Sequence, residues 1–236
     1  MFATTTTGPH RPYGVSPRQA RCPGCRGTRA HKFSCSTRHL GLTDPDTAPA
    51  APLPGHPRPV LLLDIDGPLI IDTLTDAHRA DGFEDHSTRG VHIVLRRSTG
   101  ADLLALAREA GLDLAWCSLW GHAANEIIAP LLDLPVLPVV PITTRSTPAD
   151  DWRVSIKARD VLSATATTAT TAGRPFAWLD DEITGHDDDW LHRHGAGPRL
   201  LRRVDSTTGL THADLDAVKT WAAALTPPAN TTTDAS

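Results

Sequence analysis

Short apolar runs alternate with polar, glycine-rich and proline-rich stretches from Pro59 onward, and their spacing divides this part of the chain into strands and helices. The run VLLLD, residues 60–64, is apolar at consecutive positions, as expected of a strand covered on both faces in a parallel sheet. A polar stretch from Asp72 to Gly90 predicts a loop or short flap, and VHIVLR, residues 91–96, a second extended segment. A helix follows, with Thr99 as N-cap, Asp102 completing a capping box, an apolar face of Leu103, Leu104, Leu106 and Ala107, and Gly111 as its stop. Leu112 to Cys117 reads as the next buried strand, Ala123 to Leu134 as a helix, and Val136 to Val140 as a short strand between prolines. Ser155 to about Thr168 reads as a helix, Phe176 to Leu179 as a strand ending at Asp180 and Asp181, and Asp187 to Arg193 as a short helix. Leu200 to Val204 predicts the last strand and Thr211 to Leu225 a final helix, with Asp214 in its capping box. Strands alternating with helices predict an α/β fold, a doubly wound parallel sheet flanked by helices.

Composition changes the picture mainly before residue 58. At 236 residues with 40% apolar content, one α/β domain is expected at about 58–226, followed by a disordered tail at 227–236. Residues 1–57 are rich in Pro, Thr, Gly and Arg, and APAAPLPGHPRP repeats proline too often for helix or central strand, so a disordered arm and linker is expected. The net charge of −4 gives no general case for nucleic acid, yet no acidic residue precedes Asp44, while Arg11, Arg18, Arg21, Arg26, Arg29, Lys32 and Arg38 do. Such an arm suits contact with a phosphate backbone. Within it, Cys22, Cys25, Cys35 and His39 stand in a C-x2-C, C-x3-H arrangement, the spacing of a zinc knuckle, with a plain disordered basic arm as the alternative. No apolar stretch approaches the ~20 residues that span a bilayer, and MFATTTTGPHRP lacks the apolar region of a secretory signal. A cytoplasmic protein with reduced or metal-bound cysteines is the expectation.

The candidate chemistry gathers at strand ends. Asp64 and Asp66 close the first strand two residues apart, so both start on one face, and Gly67 frees the backbone to turn. Two acids facing one small space must share a cation or a proton. Ser118 follows LDLAWC, Lys157 stands at a helix start, and Asp180 with Asp181 follows FAWL. Taken singly, Ser118 suits a turn or cap, Lys157 a solvated face, one of Asp180 and Asp181 an N-cap, and Asp187, Asp188 and Asp189 a charged first helical turn. Trp116 and Trp178 suit core packing, whereas Trp120, past a strand end, fits either a core wall or a cleft border able to stack on a base.

Taken in order, DIDGPL, Ser118, Lys157 and WLDDE resemble the motif set of the haloacid dehalogenase (HAD) superfamily of phosphohydrolases, over roughly residues 58–225. The resemblance implies a Rossmann-like sheet and an Mg²⁺-dependent phosphomonoesterase that works through an aspartyl-phosphate. Asp64 would attack phosphorus, Asp66 would serve as acid and then base, and Ser118 and Lys157 would hold the phosphoryl oxygens. Asp64, Asp180 and a backbone carbonyl near Asp66 would hold the metal, with Asp181 supporting its shell. About 54 positions separate Asp64 from Ser118, which leaves no room for a large cap and favours phosphates on bulky molecules. WCSLWGHAANEIIAPLLDLP, FAWLDDE and GLTHADLDAVKTW resemble the actinobacterial HAD domains related to Swiss Army Knife RNA-repair proteins, a likeness carried by Trp116, Trp120, His122 and Asn125. That likeness implies RNA or DNA end phosphates as substrates. A small-metabolite phosphatase, or a nucleic-acid-binding module on a catalytically weak HAD scaffold, are the alternatives.

Overall fold

The computed structural model describes residues 58–88, 91–142, 153–166 and 173–225. The arm, its candidate zinc ligands Cys22, Cys25, Cys35 and His39, and the tail at 227–236 lie outside these residues. Strands β1 (Val60–Leu63), β4 (Asp113–Trp116), β5 (Phe176–Asp180) and β6 (Arg199–Arg203) form one parallel sheet in the order β4-β1-β5-β6. Strands β2 (Phe83–Thr88) and β3 (Val91–Arg96) pair antiparallel as a separate hairpin. The helices are α1 (Asp76–Ala80), α2 (Ser98–Ala110), α3 (Ala129–Leu131), α4 (Ala158–Thr165), α5 (Gly185–Arg193) and α6 (His212–Leu225).

The two-residue period of the strands builds two cores. Leu61 and Leu63 of β1, Leu114 and Trp116 of β4, and Ala177 and Leu179 of β5 meet Leu103 and Leu106 of α2 and Leu215 and Val218 of α6. Their neighbours Val60, Leu62, Ala115, Phe176 and Trp178 meet Ala158 and Val161 of α4 and Trp190 and Leu191 of α5. The sheet is therefore covered on both sides, which is why its strands read as unbroken apolar runs. Burying each such side chain contributes roughly 1.5–3 kcal/mol. A close approach locks the first layer: a Cβ on Gly100 of α2 would lie only 1.8 Å from the Leu132 carbonyl oxygen, so no other residue fits there. Among the described residues no helix is long and apolar enough to cross a membrane.

Several local expectations change. VHIVLR does not join the main sheet, because its partner is Phe83–Thr88 within the stretch expected to be a loop or flap, and that stretch also holds α1. Thr99 does not cap α2. It is buried inside the helix and accepts a hydrogen bond from Arg96 Nε, and Arg97 takes the N-cap position without a side-chain bond. Gly111, at φ 64°, closes that helix as expected. The helix expected at 123–134 opens instead as a π-helical turn, Ala124–Ile128, ahead of α3, where Pro130 has no N–H to give to an ordinary helical ladder. Residues 136–140 contribute only an isolated bridge. Trp116 N donates to the Pro138 carbonyl at 2.9 Å and Val140 N to the Trp116 carbonyl at 2.8 Å, and the intervening prolines lengthen the ladder no further.

Candidate active site

The sheet order reverses direction at β1, and the crevice beyond the carboxyl ends of β1 and β5 is where such folds hold ligands. Register places Leu63 beside Leu179, and Asp64 N donates to the Leu179 carbonyl at 3.0 Å, so Asp64 and Asp180 end adjacent strands side by side. Both continue the strand positions that face α4, and Lys157 sits at the N-cap of that helix. Lys157 Nζ lies 2.7 Å from Asp64 Oδ2 and 2.7 Å from Asp180 Oδ2, with all three side chains buried. Lys157 is thus a buried bridge between two carboxylates, not a solvated lysine.

One ammonium cannot neutralise the carboxylates around it. Burial pushes the Asp64 carboxyl well above its usual range, and Asp180 and Asp66 push the same way against Lys157. Burial alone would lower Lys157, but Asp180 and Asp64 outweigh it and hold its proton firmly. Burial, then Asp180 and Glu182, raise half-buried Asp181 to about 6. Oxygen atoms of Asp64, Asp180 and Asp181 all lie within 4.8 Å of one another. Such a group of hard oxygen donors carrying surplus negative charge is chemically suited to a small divalent cation.

The two acids after β5 differ in what they touch. Asp180 is fully buried, its Oδ2 accepting from Lys157 and, at 3.1 Å, from Trp178 Nε1, while its Oδ1 accepts from Glu182 N at 2.8 Å. Asp181 is only half-buried, and its carboxyl carbon and Oδ1 pack against Gly67. The backbone carbonyl of Asp181 accepts from Arg203 Nε at 3.0 Å.

The chain turns sharply after β1. Leu69 N and Ile70 N both donate to the Ile65 carbonyl, and Gly67 N donates to the Ile70 carbonyl at 2.9 Å. Past this turn the partner of Asp66 is Trp120, while Lys157 pairs with Asp64 and Asp180. The two strand-end acids share the crevice, but Asp64 meets Lys157, whereas Asp66 reaches solvent and its Oδ2 accepts from Trp120 Nε1 at 3.0 Å. The surrounding protein raises the Asp66 carboxyl, with the Trp120 bond and Lys157 acting in the opposite direction. Ser118 is buried just past β4, whose end is tied to β1 by the Cys117 N bond to the Leu63 carbonyl at 2.8 Å. Its Oγ accepts from Trp120 N at 3.5 Å. One turn therefore carries both Ser118 and the partner of Asp66. Cys117 faces the α4 side, and burial raises its thiol well above the usual range, leaving it neutral.

Trp116 and Trp178 are core residues as expected, both fully buried. Trp120 is also buried, which removes it as a surface on which a base could stack. Asn125 completes a small network: its Oδ1 accepts from Trp116 Nε1 at 2.9 Å and Leu137 N at 2.9 Å, and its Nδ2 donates to the Leu137 carbonyl. Asp187 stands in the first turn of α5 as expected, but it is buried and accepts from Ser155 N at 2.6 Å as well as from Thr184 N at 2.7 Å. It ties the start of α5 to the segment that presents Lys157. The T-x-x-D spacing marks Asp187 as a capping residue, but nothing local points to Ser155. The Trp178 bond to Asp180 has a simple signal, because the two lie two apart on one strand.

Residues 60–215, about two thirds of the chain, match the family described as the HAD domain in Swiss Army Knife RNA repair proteins. No curated protein matches the chain.

Proposed function

This chain belongs to the family of HAD domains found in Swiss Army Knife RNA repair proteins, and from that premise we propose that it is a divalent-metal-dependent phosphomonoesterase in which Asp64 is the nucleophile. The observation that carries the reading is Lys157 held 2.7 Å from both Asp64 and Asp180, with the Asp181 carboxylate grouped beside those two acids. A buried cation among surplus acids is an arrangement for receiving a phosphoryl group together with a metal, and a poor one for stability alone.

Asp64 and Asp181, with a backbone carbonyl near Asp66, would hold Mg²⁺. Asp180 has both oxygens engaged by Lys157, Trp178 and Glu182, which supports giving it the role of anchoring Lys157. When bound, the metal supplies positive charge that lets an anionic phosphate approach Asp64 and offsets charge on its oxygens. The remaining work falls to the chain. Lys157 steadies the phosphoryl oxygens from the floor of the crevice, and Ser118 offers a hydroxyl from the β4 side. Asp64 attacks phosphorus, forming the aspartyl-phosphate as the ester oxygen leaves. Asp66 donates a proton to that oxygen and then takes one from the attacking water, and phosphate departs with Asp64 restored.

Between β1 and β4 the described elements are only α1, the β2–β3 hairpin and α2. With no large cap between β1 and β4 among the described residues, the reading favours a phosphate at the end of a polynucleotide over a small metabolite that needs enclosure. The test is phosphate release in Mg²⁺ from 3′- and 5′-phosphorylated oligonucleotides beside a panel of small phosphomonoesters, with Asp64→Asn as blank. Preference for the oligonucleotides is expected. Efficient turnover of small esters alone would overturn the substrate assignment, and no turnover of any would overturn the enzyme.

A further inference from the structure

We propose that Trp120 is a positioning residue for Asp66: its indole N–H holds Oδ2, so that proton exchange with the leaving oxygen runs through Oδ1. This rests on the phosphomonoesterase reading above.

Three observations meet at this contact. Trp120 is 1% exposed, so its ring is fixed by the core while its N–H emerges at the crevice wall. Its Nε1 lies 3.0 Å from Asp66 Oδ2, joining residues 54 positions apart in sequence. Among the described residues no hydrogen bond reaches Asp66 Oδ1, and the side chain is exposed to solvent. An indole N–H is a donor only. The oxygen it engages acts as the acceptor, and because the carbonyl oxygen of a carboxylic acid accepts better than its hydroxyl oxygen, a proton carried by Asp66 is favoured on the other one. The bond removes the freedom of the carboxyl group to present either oxygen, or to rotate its proton toward the protein.

The steps balance with this assignment. As the bond from Asp64 to phosphorus forms and the ester P–O bond breaks, the electron pair stays on the leaving oxygen, which takes the proton from Asp66 Oδ1. Water then attacks the same phosphorus, gives its proton to Oδ1, and the bond to Asp64 breaks. One ester and one water become one alcohol and one phosphate. The Trp120 turn also carries Ser118, two residues earlier, so the group that holds the phosphate and the group that orients the acid move as a unit.

A structural role and a positioning role for Trp120 separate by leaving group. General acid help matters for an alkoxide and little for 4-nitrophenolate. Trp120→Phe keeps the ring and removes the N–H, and kcat/KM reports the step in which the leaving oxygen departs. The variant is expected to lose about 10-fold or more on an alkyl phosphate, and several times less on 4-nitrophenyl phosphate. Equal losses on both esters, or none on either, would overturn the proposal. Should the variant not fold, the indole N–H resonance of Trp120 in the otherwise intact chain decides the contact: Asp66→Ala is expected to shift it, and an unmoved resonance overturns the positioning role by itself. A wild-type chain that shows the shift yet hydrolyses neither ester removes the phosphomonoesterase reading, and with it the role, while leaving the hydrogen bond in place.

Discussion

Gly67 lies against Asp181: a Cβ added to Gly67 would sit 2.5 Å from the Asp181 carboxyl carbon and 2.8 Å from its Cβ. Gly67 also holds φ at 91°, in the region that favours glycine. The turn after β1 and the acid after β5 thus interlock only because this residue has no side chain. Gly67→Ala is expected to cost about 1–3 kcal/mol of stability through backbone strain and, by displacing Asp181, to weaken metal-dependent activity as well. Urea melts and phosphate release on the same preparation check both. A stable variant with full activity would show that the contact is slack.

Lys157 compensates Asp64 and Asp180 at the base of the crevice. Removing one partner of a buried charge group strands the others, typically at about 3–5 kcal/mol. Lys157→Met should therefore lower stability by an amount in that range and abolish turnover. Adding Asp180→Asn to that variant removes one stranded charge and should recover part of the stability with none of the activity, as thermal melts of the single and double variants will show.

A metal bound by Asp64 and Asp181 would compete with protons for the surplus charge of these carboxylates. Adding Mg²⁺ to chelator-treated protein is expected to raise Tm, by the equivalent of about 2.7 kcal/mol at a hundredfold excess over Kd. Asp181→Asn should lose most of that increment. Asp187→Asn lowers the starting Tm by loosening the Ser155 bond, yet it leaves the increment largely intact. Calorimetric scans with and without the metal distinguish the two.

The position of Asp214 fixes a pH dependence away from the site. Burial alone would raise its carboxyl, but hydrogen bonds from Thr211 and Arg202 outweigh it and hold it below the ordinary value. The depressed group favours the folded chain above its unfolded pKa of about 3.9, and this contribution is lost as pH falls through the lower folded value. Asp214→Asn should cost about 1–2 kcal/mol at neutral pH, through the cap of α6 and the Arg202 pair. The gap between variant and wild type should close as pH falls below about 4. Denaturant midpoints measured across that range provide the check.

These contacts mark where the amino-acid pattern is informative and where it is not. The VLLLD run, the FAWL run before Asp180 and the T-x-x-D start of α6 are local signals, and each element stands where its pattern puts it. The order of strand ends brings Asp64, Lys157 and Asp180 together, because like positions on neighbouring parallel strands share a face. The β2–β3 hairpin was hidden because FEDHST buries only Phe83 and shows no apolar alternation. Residues 136–140 look like a strand by hydropathy, yet the prolines limit them to two ladder bonds. The Trp120 bond to Asp66 and the Asp187 bond to Ser155 span 54 and 32 positions, and only the folded chain brings those partners within reach.

The central claim is that Asp64 takes the phosphoryl group before water does. Its most direct test is the stereochemical course at phosphorus, followed with a chiral, oxygen-labelled thiophosphate ester hydrolysed in labelled water. Attack by Asp64 and then by water inverts phosphorus twice, so net retention of configuration is predicted. Net inversion would mean that water attacks the ester directly and would contradict the account.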